Sequence, residues 1–182
     1  MTDSRPLNLP ISSDFSFHAL QTIDGPALHQ LVADCPPLDS NSLYCNLLQA
    51  THFGATSVGA WSEARLMGSV TGYRLPAAPD TLFVWQVAVH PLARGCGLAT
   101  RMLDALLARP ALSDICHVHT TITPSNSASW ALFKAWARRR SAACQVAVMF
   151  DRDQHLAGQH DSEMLLAIGP LSKAHPHTPS DL

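Results

Sequence analysis

The feature that most constrains the fold is an apolar strand that runs into a glycine-containing turn and then into a helix. Residues 81–90 are strongly apolar, residues 94–99 read Arg-Gly-Cys-Gly-Leu-Ala, and apolar side chains recur at helical spacing from about Gly97 to Arg109. The first amides of a helix have no partner within it, so they attract anions. The two glycines let the backbone approach a phosphate closely. The pattern predicts a phosphate site, with an ordinary strand-to-helix connection as the alternative.

The rest of the chain predicts one mixed α/β domain over residues 14–171. Apolar and alternating runs predict strands at residues 15–20, 56–62, 66–75, 115–122, 142–150 and 163–168. Helical spacing predicts helices at residues 25–34, from Asp39 or Ser40 onward, and at 127–139. The resulting order, β-α-α-β-β-β-α-β-α-β-β, places helices on both faces of one sheet. Residues 1–13 and 172–182 are polar and proline-containing, which predicts flexible ends.

Composition narrows the function classes. A chain of 182 residues with 47% hydrophobic and 14% charged residues is typical of one compact domain. A net charge of -2 argues against nucleic acid or an anionic membrane as the main partner. No apolar run approaches the roughly 18 residues of a membrane span. Five cysteines without a CxxC pair indicate reduced thiols in a cytoplasmic protein, and ten scattered histidines predict no metal site.

Two motifs resemble the GCN5-related N-acetyltransferases, the GNAT superfamily. Arg94-x-x-Gly97-x-Ala99 is similar to the family's first coenzyme A signature, and residues 126–133, Asn-Ser-Ala-Ser-Trp-Ala-Leu-Phe, are similar to its second. The resemblance implies a single mixed, mostly antiparallel sheet flanked by helices, and acetyl-CoA as co-substrate without a metal. It implies that acetyl-CoA binds at Val87, Val89, Arg94, Gly95, Cys96, Gly97, Leu98, Ala99, Asn126, Ser129 and Phe133.

Phe133 departs from that pattern. The family's usual acid for the departing thiolate is a tyrosine at the corresponding position, and a phenyl ring has no proton to donate. Either water or another group must protonate the thiolate, and Tyr44 is the tyrosine we consider first for this catalytic role.

Longer segments resemble a narrower family, the L-2,4-diaminobutyrate acetyltransferases of ectoine biosynthesis. They are residues 35–44, 52–53, 81–89, 120–126 and 160–163. This resemblance implies acetyl transfer to the 4-amino group of L-2,4-diaminobutyrate, giving N4-acetyl-L-2,4-diaminobutyrate and CoA. It also implies a role in osmoprotection, a cytoplasmic location and a homodimer. The alternatives are a GNAT enzyme acting on another small amine or on a protein N-terminus, and a non-catalytic sensor domain that binds CoA.

Such a substrate needs an acid for its second ammonium group, a partner for its carboxylate and a base for the reacting amine. The candidates for substrate binding are Asp39, Tyr44, Arg74, Trp85 and Glu163. His160 is the candidate base, because histidine titrates near neutral pH. Most candidates also have an ordinary alternative: a helix cap for Asp39, core packing for Tyr44 and Trp85, a solvated strand end for Arg74, and a surface loop position without a role for His160.

Overall fold

Seven strands and four helices alternate along residues 14–172, the part of the chain that this computed structural model describes. The strands are β1 Ser16–His18, β2 Val58–Ser62, β3 Arg65–Leu75, β4 Ala78–Val89, β5 His117–Ile122, β6 Cys144–Phe150 and β7 Glu163–Ile168. The helices are α1 Gly25–Ala33, α2 Leu43–His52, α3 Leu98–Leu107 and α4 Ser127–Arg139. This order confirms the predicted sequence of elements. The predicted flexible ends, apart from Ser172, lie outside the described residues.

The strands form one sheet in the order β1-β2-β3-β4-β5-β7-β6, in which β4 and β5 are parallel and the other neighbours are antiparallel. α3 and α4 pack on one face of this sheet, and α1 and α2 pack on the other. The amphipathic pattern of α3 explains its placement, because its buried side chains share one face of the helix. They are Leu98, Met102, Leu103 and Leu106.

Helix α2 begins later than the sequence predicts. Its first residue is Leu43, and the Ser42 hydroxyl accepts a hydrogen bond from the amide of Cys45 at 3.1 Å. The prediction that Asp39 or Ser40 caps this helix is therefore wrong, because Ser42 satisfies one of the helix's first free amides instead. As a consequence, residues 39–42 stay in a loop that connects α1 to α2.

Strands β4 and β5 pair over only part of their length. Residues 81–84 of β4 pair with residues 117–120 of β5, and beyond Val84 the two strands separate. On its other side β4 contains a bulge, because Thr71 pairs with Gln86 and Gly72 with Val84, which leaves Trp85 unpaired. The sheet therefore opens a gap in its middle beside the second half of β4.

Asp104 connects α3 to α4. Its Oδ1 accepts hydrogen bonds from Trp136 Nε1 at 2.9 Å and from the Arg140 guanidinium at 2.8 Å, and its Oδ2 accepts one from Arg139 at 3.0 Å. Burial raises the pKa of the Asp104 carboxyl, but the hydrogen bonds from Arg140 and Trp136 and the nearby charges outweigh it, and the net pKa is lowered. The carboxylate form is therefore the one that the fold stabilises.

We expect Asp104→Asn to lower the free energy of unfolding by about 1 kcal/mol at pH 7. The loss is this small because the ion pairs of Asp104 with Arg139 and Arg140 are partly exposed to solvent. A lowered folded-state pKa gives stability that is present above the ordinary pKa and lost as pH falls through the folded one, so the difference should shrink below about pH 4. Urea unfolding at several pH values measures it. Asp153→Asn, which changes an exposed carboxylate, is the matched control. A deficit that stayed constant into acid would contradict the ionic explanation.

Candidate active site

A cleft of about 730 Å³ opens where β4 and β5 separate, and we call it the polar cleft. The loop before α2, the bulged part of β4, the end of β5, the start of α4 and the loop before β7 enclose it. Its lining residues are Pro37, Leu38, Asp39, Ser40, Asn41, Trp85, Gln86, Val87, Thr120, Thr121, Ile122, Thr123, Ser125, Asn126, Ser129, Phe133, Leu156, His160, Asp161 and Glu163.

Two backbone amides of β4 face the gap. The amide of His90 donates to the carbonyl of Met67 on β3, so the polar groups of the preceding residue, Val89, point away from β3. The Val89 carbonyl indeed accepts from Cys35 Sγ at 3.3 Å and from Arg94 Nε at 3.2 Å. Because strand residues alternate in direction, the amides of both Val87 and Val89 point into the gap. A carbonyl oxygen placed there would find preorganised donors.

The glycine-containing turn forms a second, adjoining groove of about 410 Å³, which we call the turn groove. Gly95 and Gly97 have φ angles of +80° and +72°, a conformation that L side chains rarely adopt. Gly97 is also the N-cap of α3, and no side chain caps that helix. The first amides of α3 are therefore available to an anion, and a Cβ at either glycine would point into open space.

The structure brings most of the predicted acetyl-CoA residues to these two cavities. Val87, Asn126 and Ser129 line both, Phe133 lines the polar cleft, and the turn groove is lined by Val89, Arg94, Gly95, Gly97, Leu98 and Ala99. Cys96 does not line either one, because its thiol turns back to the carbonyl of Ala93 at 3.1 Å. A contact of acetyl-CoA with each of the other residues stays a prediction.

Two of these side chains have partners within the protein. The Arg94 guanidinium donates to the Val89 carbonyl, so it holds the turn against the end of β4. The Asn126 side chain accepts from the amide of Ser129 at 3.0 Å and caps α4. Asn126 therefore sets where α4 starts, which places the start of this helix beside both cavities.

Acidic and basic side chains meet in the polar cleft. Burial raises the pKa of the half-buried Glu163 carboxyl, and the charge of Asp39 raises it further, whereas the Thr121 hydroxyl and His160 act in the opposite direction. Glu163 shares the lining of this cleft with Asp39, Thr121 and His160. The cleft thus holds carboxylates and an imidazole, which suit a cationic ligand.

Gln86 fixes the loop that carries Asp39, and sequence reasoning missed it. Its Nε2 donates to the backbone carbonyl of Asp39 at 3.1 Å, and its Oε1 accepts from Asn41 Nδ2 at 3.3 Å. At the other end of the loop, the Cys35 thiol donates to β4. A polar residue within the apolar run 81–89 was the available signal.

Two predicted substrate residues do not reach the cleft of their own chain. Arg74 lies at the opposite end of β3, where its guanidinium donates to the Asp114 carboxylate at 2.7 Å and to the carbonyl of Ala111 at 2.6 Å. Its predicted role with the substrate carboxylate is wrong, because these bonds hold it away from the gap. Tyr44 is 70% exposed on α2 and is absent from the lining, so neither core packing nor a cleft role within one chain describes it.

The other predicted acceptor residues, Asp39, Trp85, His160 and Glu163, all line the polar cleft. Trp85 occupies the bulge, is 45% exposed and makes an edge contact with the Tyr73 ring, so it forms a wall of the cleft rather than core. Within residues 14–172 we find no group of three or more histidine, cysteine, aspartate or glutamate side chains arranged to hold a metal. In the same span, no helix has the length and apolar character that crossing a membrane requires.

Comparison with known families decides the class of this fold. Residues 25–137, which contain the turn groove and most of the polar cleft, match the acetyltransferase (GNAT) family. The chain belongs to the GNAT family. The predicted fold, one mixed and mostly antiparallel sheet between layers of helices, is confirmed by this match and by the strand order.

Relatives within the GNAT family carry a narrower description. The chain is 57% identical to an L-2,4-diaminobutyric acid acetyltransferase of Methylotuvimicrobium alcaliphilum over 81% of this chain and 86% of the relative. It is 48% identical to an L-2,4-diaminobutyric acid acetyltransferase of Vibrio cholerae over 83% of this chain and 87% of the relative.

Solved GNAT structures agree with this match. A diaminobutyrate acetyltransferase from Paenibacillus lautus, in complex with its substrate L-2,4-diaminobutyric acid and coenzyme A, is 34% identical with a TM-score of 0.83, and the match covers 90% of this chain and 99% of that one. The ribosomal-protein-S18-alanine N-acetyltransferase of Escherichia coli, at 14% identity and a TM-score of 0.65, covers 91% and 99% and shares the fold alone.

Proposed function

We propose that this chain transfers the acetyl group of acetyl-CoA to the 4-amino group of L-2,4-diaminobutyrate, giving N4-acetyl-L-2,4-diaminobutyrate and CoA. The observation that carries the proposal is the polar cleft, in which Asp39, Glu163 and His160 surround the gap beside β4. Two carboxylates suit an amine substrate that keeps a second ammonium group. The relatives described above, which are identical to this chain at 48–57% of the aligned positions, support the choice of that amine.

Acetyl-CoA fits the cavities. The first amides of α3 face the turn groove and are available to the pyrophosphate. Gly95 and Gly97, the two glycines with positive φ, leave open space beside these amides. The groove joins the polar cleft along Val87, Asn126 and Ser129, which gives the pantetheine arm a path from the turn to the gap. When bound, acetyl-CoA supplies a thioester whose carbonyl carbon accepts the amine.

Backbone amides of β4 polarise that carbonyl. The amides of Val87 and Val89 point into the gap, so they donate to the carbonyl oxygen and stabilise the charge that develops on it. The Val89 carbonyl is held by Cys35 and Arg94, which keeps this end of β4 in place. Donors on a fixed strand need little reorganisation during the reaction.

The reacting amine must lose a proton before it attacks. An amine of this kind has a pKa of about 10, so at neutral pH it arrives as an ammonium. His160 takes that proton, and the neighbouring Glu163 carboxylate stabilises the imidazolium that forms. Asp39 pairs with the second ammonium, which does not react. The departing thiolate takes its proton from water, because Phe133 has none to give and Tyr44 of the same chain lies outside the cleft.

We further assign the reaction to ectoine biosynthesis in the cytoplasm and the active form to a homodimer. The narrower family resemblance supports the pathway and the location. Exposed apolar side chains support self-association, because contact between two copies of the chain would remove their apolar surface from water. They are Leu43, Tyr44 and Leu48 on α2, and Val146, Val148, Met149 and Phe150 on the edge strand β6.

Thiol release from acetyl-CoA in the presence of L-2,4-diaminobutyrate tests the proposal. We expect turnover with this amine at a kcat of about 1 to 1000 per second, the ordinary range for enzymes. Mass and NMR spectra of the product should place the acetyl group on the 4-amino nitrogen. Turnover with other amines or peptides but not with this one would overturn the assignment of the substrate. CoA binding without turnover of any amine would instead identify a sensor domain.

A further inference from the structure

The charges that line the polar cleft have one dominant sign. Three carboxylates line it, those of Asp39, Asp161 and Glu163, and His160 is the one basic side chain among the described residues of the lining. The two arginines that the sequence predicts for the site do not line this cleft: Arg74 pairs with Asp114, and Arg94 donates to the Val89 carbonyl. A ligand in this cleft therefore meets several partners for ammonium groups.

A ligand carboxylate meets a different environment. No lysine or arginine of residues 14–172 lines the cleft, so a carboxylate there can use only neutral donors such as the hydroxyls of Thr123 and Ser125, besides His160. His160 cannot both receive the proton of the reacting amine and arrive already charged to bind a carboxylate. Hydrogen bonds between neutral groups contribute about 0.5–1.5 kcal/mol, less than charged or bidentate ones. The three carboxylates oppose the ligand's negative charge as well.

We propose that this cleft also accepts diamines that carry no carboxylate, with the two amino groups three carbons apart, as acetyl acceptors. The simplest member of this class is 1,3-diaminopropane, which is L-2,4-diaminobutyrate without its carboxylate. The inference rests on the proposed function, because it takes acetyl transfer from acetyl-CoA as given. It extends that function by making the second ammonium group, not the carboxylate, the feature that the cleft recognises.

The reaction balances as it does for the amino acid. One ammonium group of the diamine loses a proton to His160, and the neutral nitrogen forms a bond to the acyl carbon while the carbon–sulfur bond breaks. The second proton of that nitrogen passes through water to the departing thiolate, and His160 returns its proton to solvent. The products are N-acetyl-1,3-diaminopropane, CoA and one proton. The other ammonium group stays paired with Asp39 throughout, and Glu163 lies beside it.

Three amines test the proposal with the full-length enzyme. L-2,4-diaminobutyrate has both features, 1,3-diaminopropane lacks the carboxylate, and 4-aminobutyrate lacks the second ammonium. Steady-state thiol release at saturating acetyl-CoA gives kcat/KM for each, and mass spectrometry identifies each product. We expect 1,3-diaminopropane within about tenfold of the amino acid, since only weak bonds are lost, and 4-aminobutyrate at least about a hundredfold below it, since a charged pair is lost.

Asp39→Asn adds a second measurement. We expect this variant to lower kcat/KM for both diamines by a similar factor of about ten or more, but not to lower it for 4-aminobutyrate, which has no second ammonium group to lose a partner. A thermal melt close to that of the parent enzyme shows that the variant is folded. The proposal is overturned if 4-aminobutyrate is the better of the two truncated amines, or if 1,3-diaminopropane falls more than about tenfold below the amino acid. Failure of the amino acid itself, with CoA bound, instead contradicts the proposed function.

Discussion

We expect His160→Gln to lower kcat/KM for the amine by about 10²- to 10³-fold near neutral pH, the range that loss of a general base produces. Glutamine keeps much of the size and polarity of histidine but accepts no proton at this pH. The deficit should shrink as pH rises toward about 10, because the amine then loses its proton without help. Initial rates of thiol release from pH 6.5 to 9.5, with acetyl-CoA saturating, measure both effects.

His155→Gln is the matched control in the same loop. The His155 ring accepts from the amide of Asp151 at 2.8 Å and packs against Phe150, outside the polar cleft. A glutamine side-chain oxygen can accept the same bond, so we expect activity within about threefold of the parent. A pH-dependent deficit in Glu163→Gln, with His160→Gln close to normal, would contradict the role given to His160 and make Glu163 the base.

The donor side of the site could be predicted from the sequence because its chemistry is local. An apolar strand, two glycines and an amphipathic helix follow one another within residues 81–109, and their contacts depend on short stretches of chain. The positive φ angles of Gly95 and Gly97 and the uncapped start of α3 are consequences of that local order. The sequence likewise predicts the order of strands and helices, since each has its own periodicity.

The acceptor side depends on tertiary geometry that no local pattern contains. Arg74 ends a strand, but the antiparallel register places it opposite Leu82, far from the end of β4 that opens the gap. For Tyr44, the orientation of α2 against the sheet decides the outcome. The buried side chains of this helix are Asn46, Gln49 and Ala50, and because each residue turns a helix by about 100°, Tyr44 lies on the opposite, exposed face.

Gln86 was missed for a related reason. Its two hydrogen bonds are made across the bulge to a loop more than forty residues away in the chain, and the bulge itself is visible only in the pairing of β3 with β4. A single glutamine in an apolar strand has no unique interpretation from sequence. Its meaning comes from the loop that carries Asp39, which lies against β4 because Cys35 and Gln86 hold it at both ends.

We expect Gly97→Val to raise the KM for acetyl-CoA by at least about tenfold while the KM for the amine stays close to that of the parent enzyme. The φ of Gly97 is +72°, where an L residue is disfavoured by roughly 1–2 kcal/mol and a β-branched one is a genuine outlier. If the turn relaxes, the first amides of α3 no longer converge on the pyrophosphate. If it does not, the new side chain occupies the open space beside those amides.

Gly158→Val separates this effect from general strain. Gly158 has nearly the same φ, +71°, but lies in the loop before β7, in which Leu156 and His160 line the polar cleft. Both variants should lose stability by a similar amount, which for a chain of this size shifts the melting temperature by about 2–8 °C. Only Gly97→Val should weaken the binding of acetyl-CoA. Calorimetric titration with CoA measures this affinity without turnover. Equal weakening in both variants would mean that strain, rather than the anion-binding turn, limits the affinity for CoA.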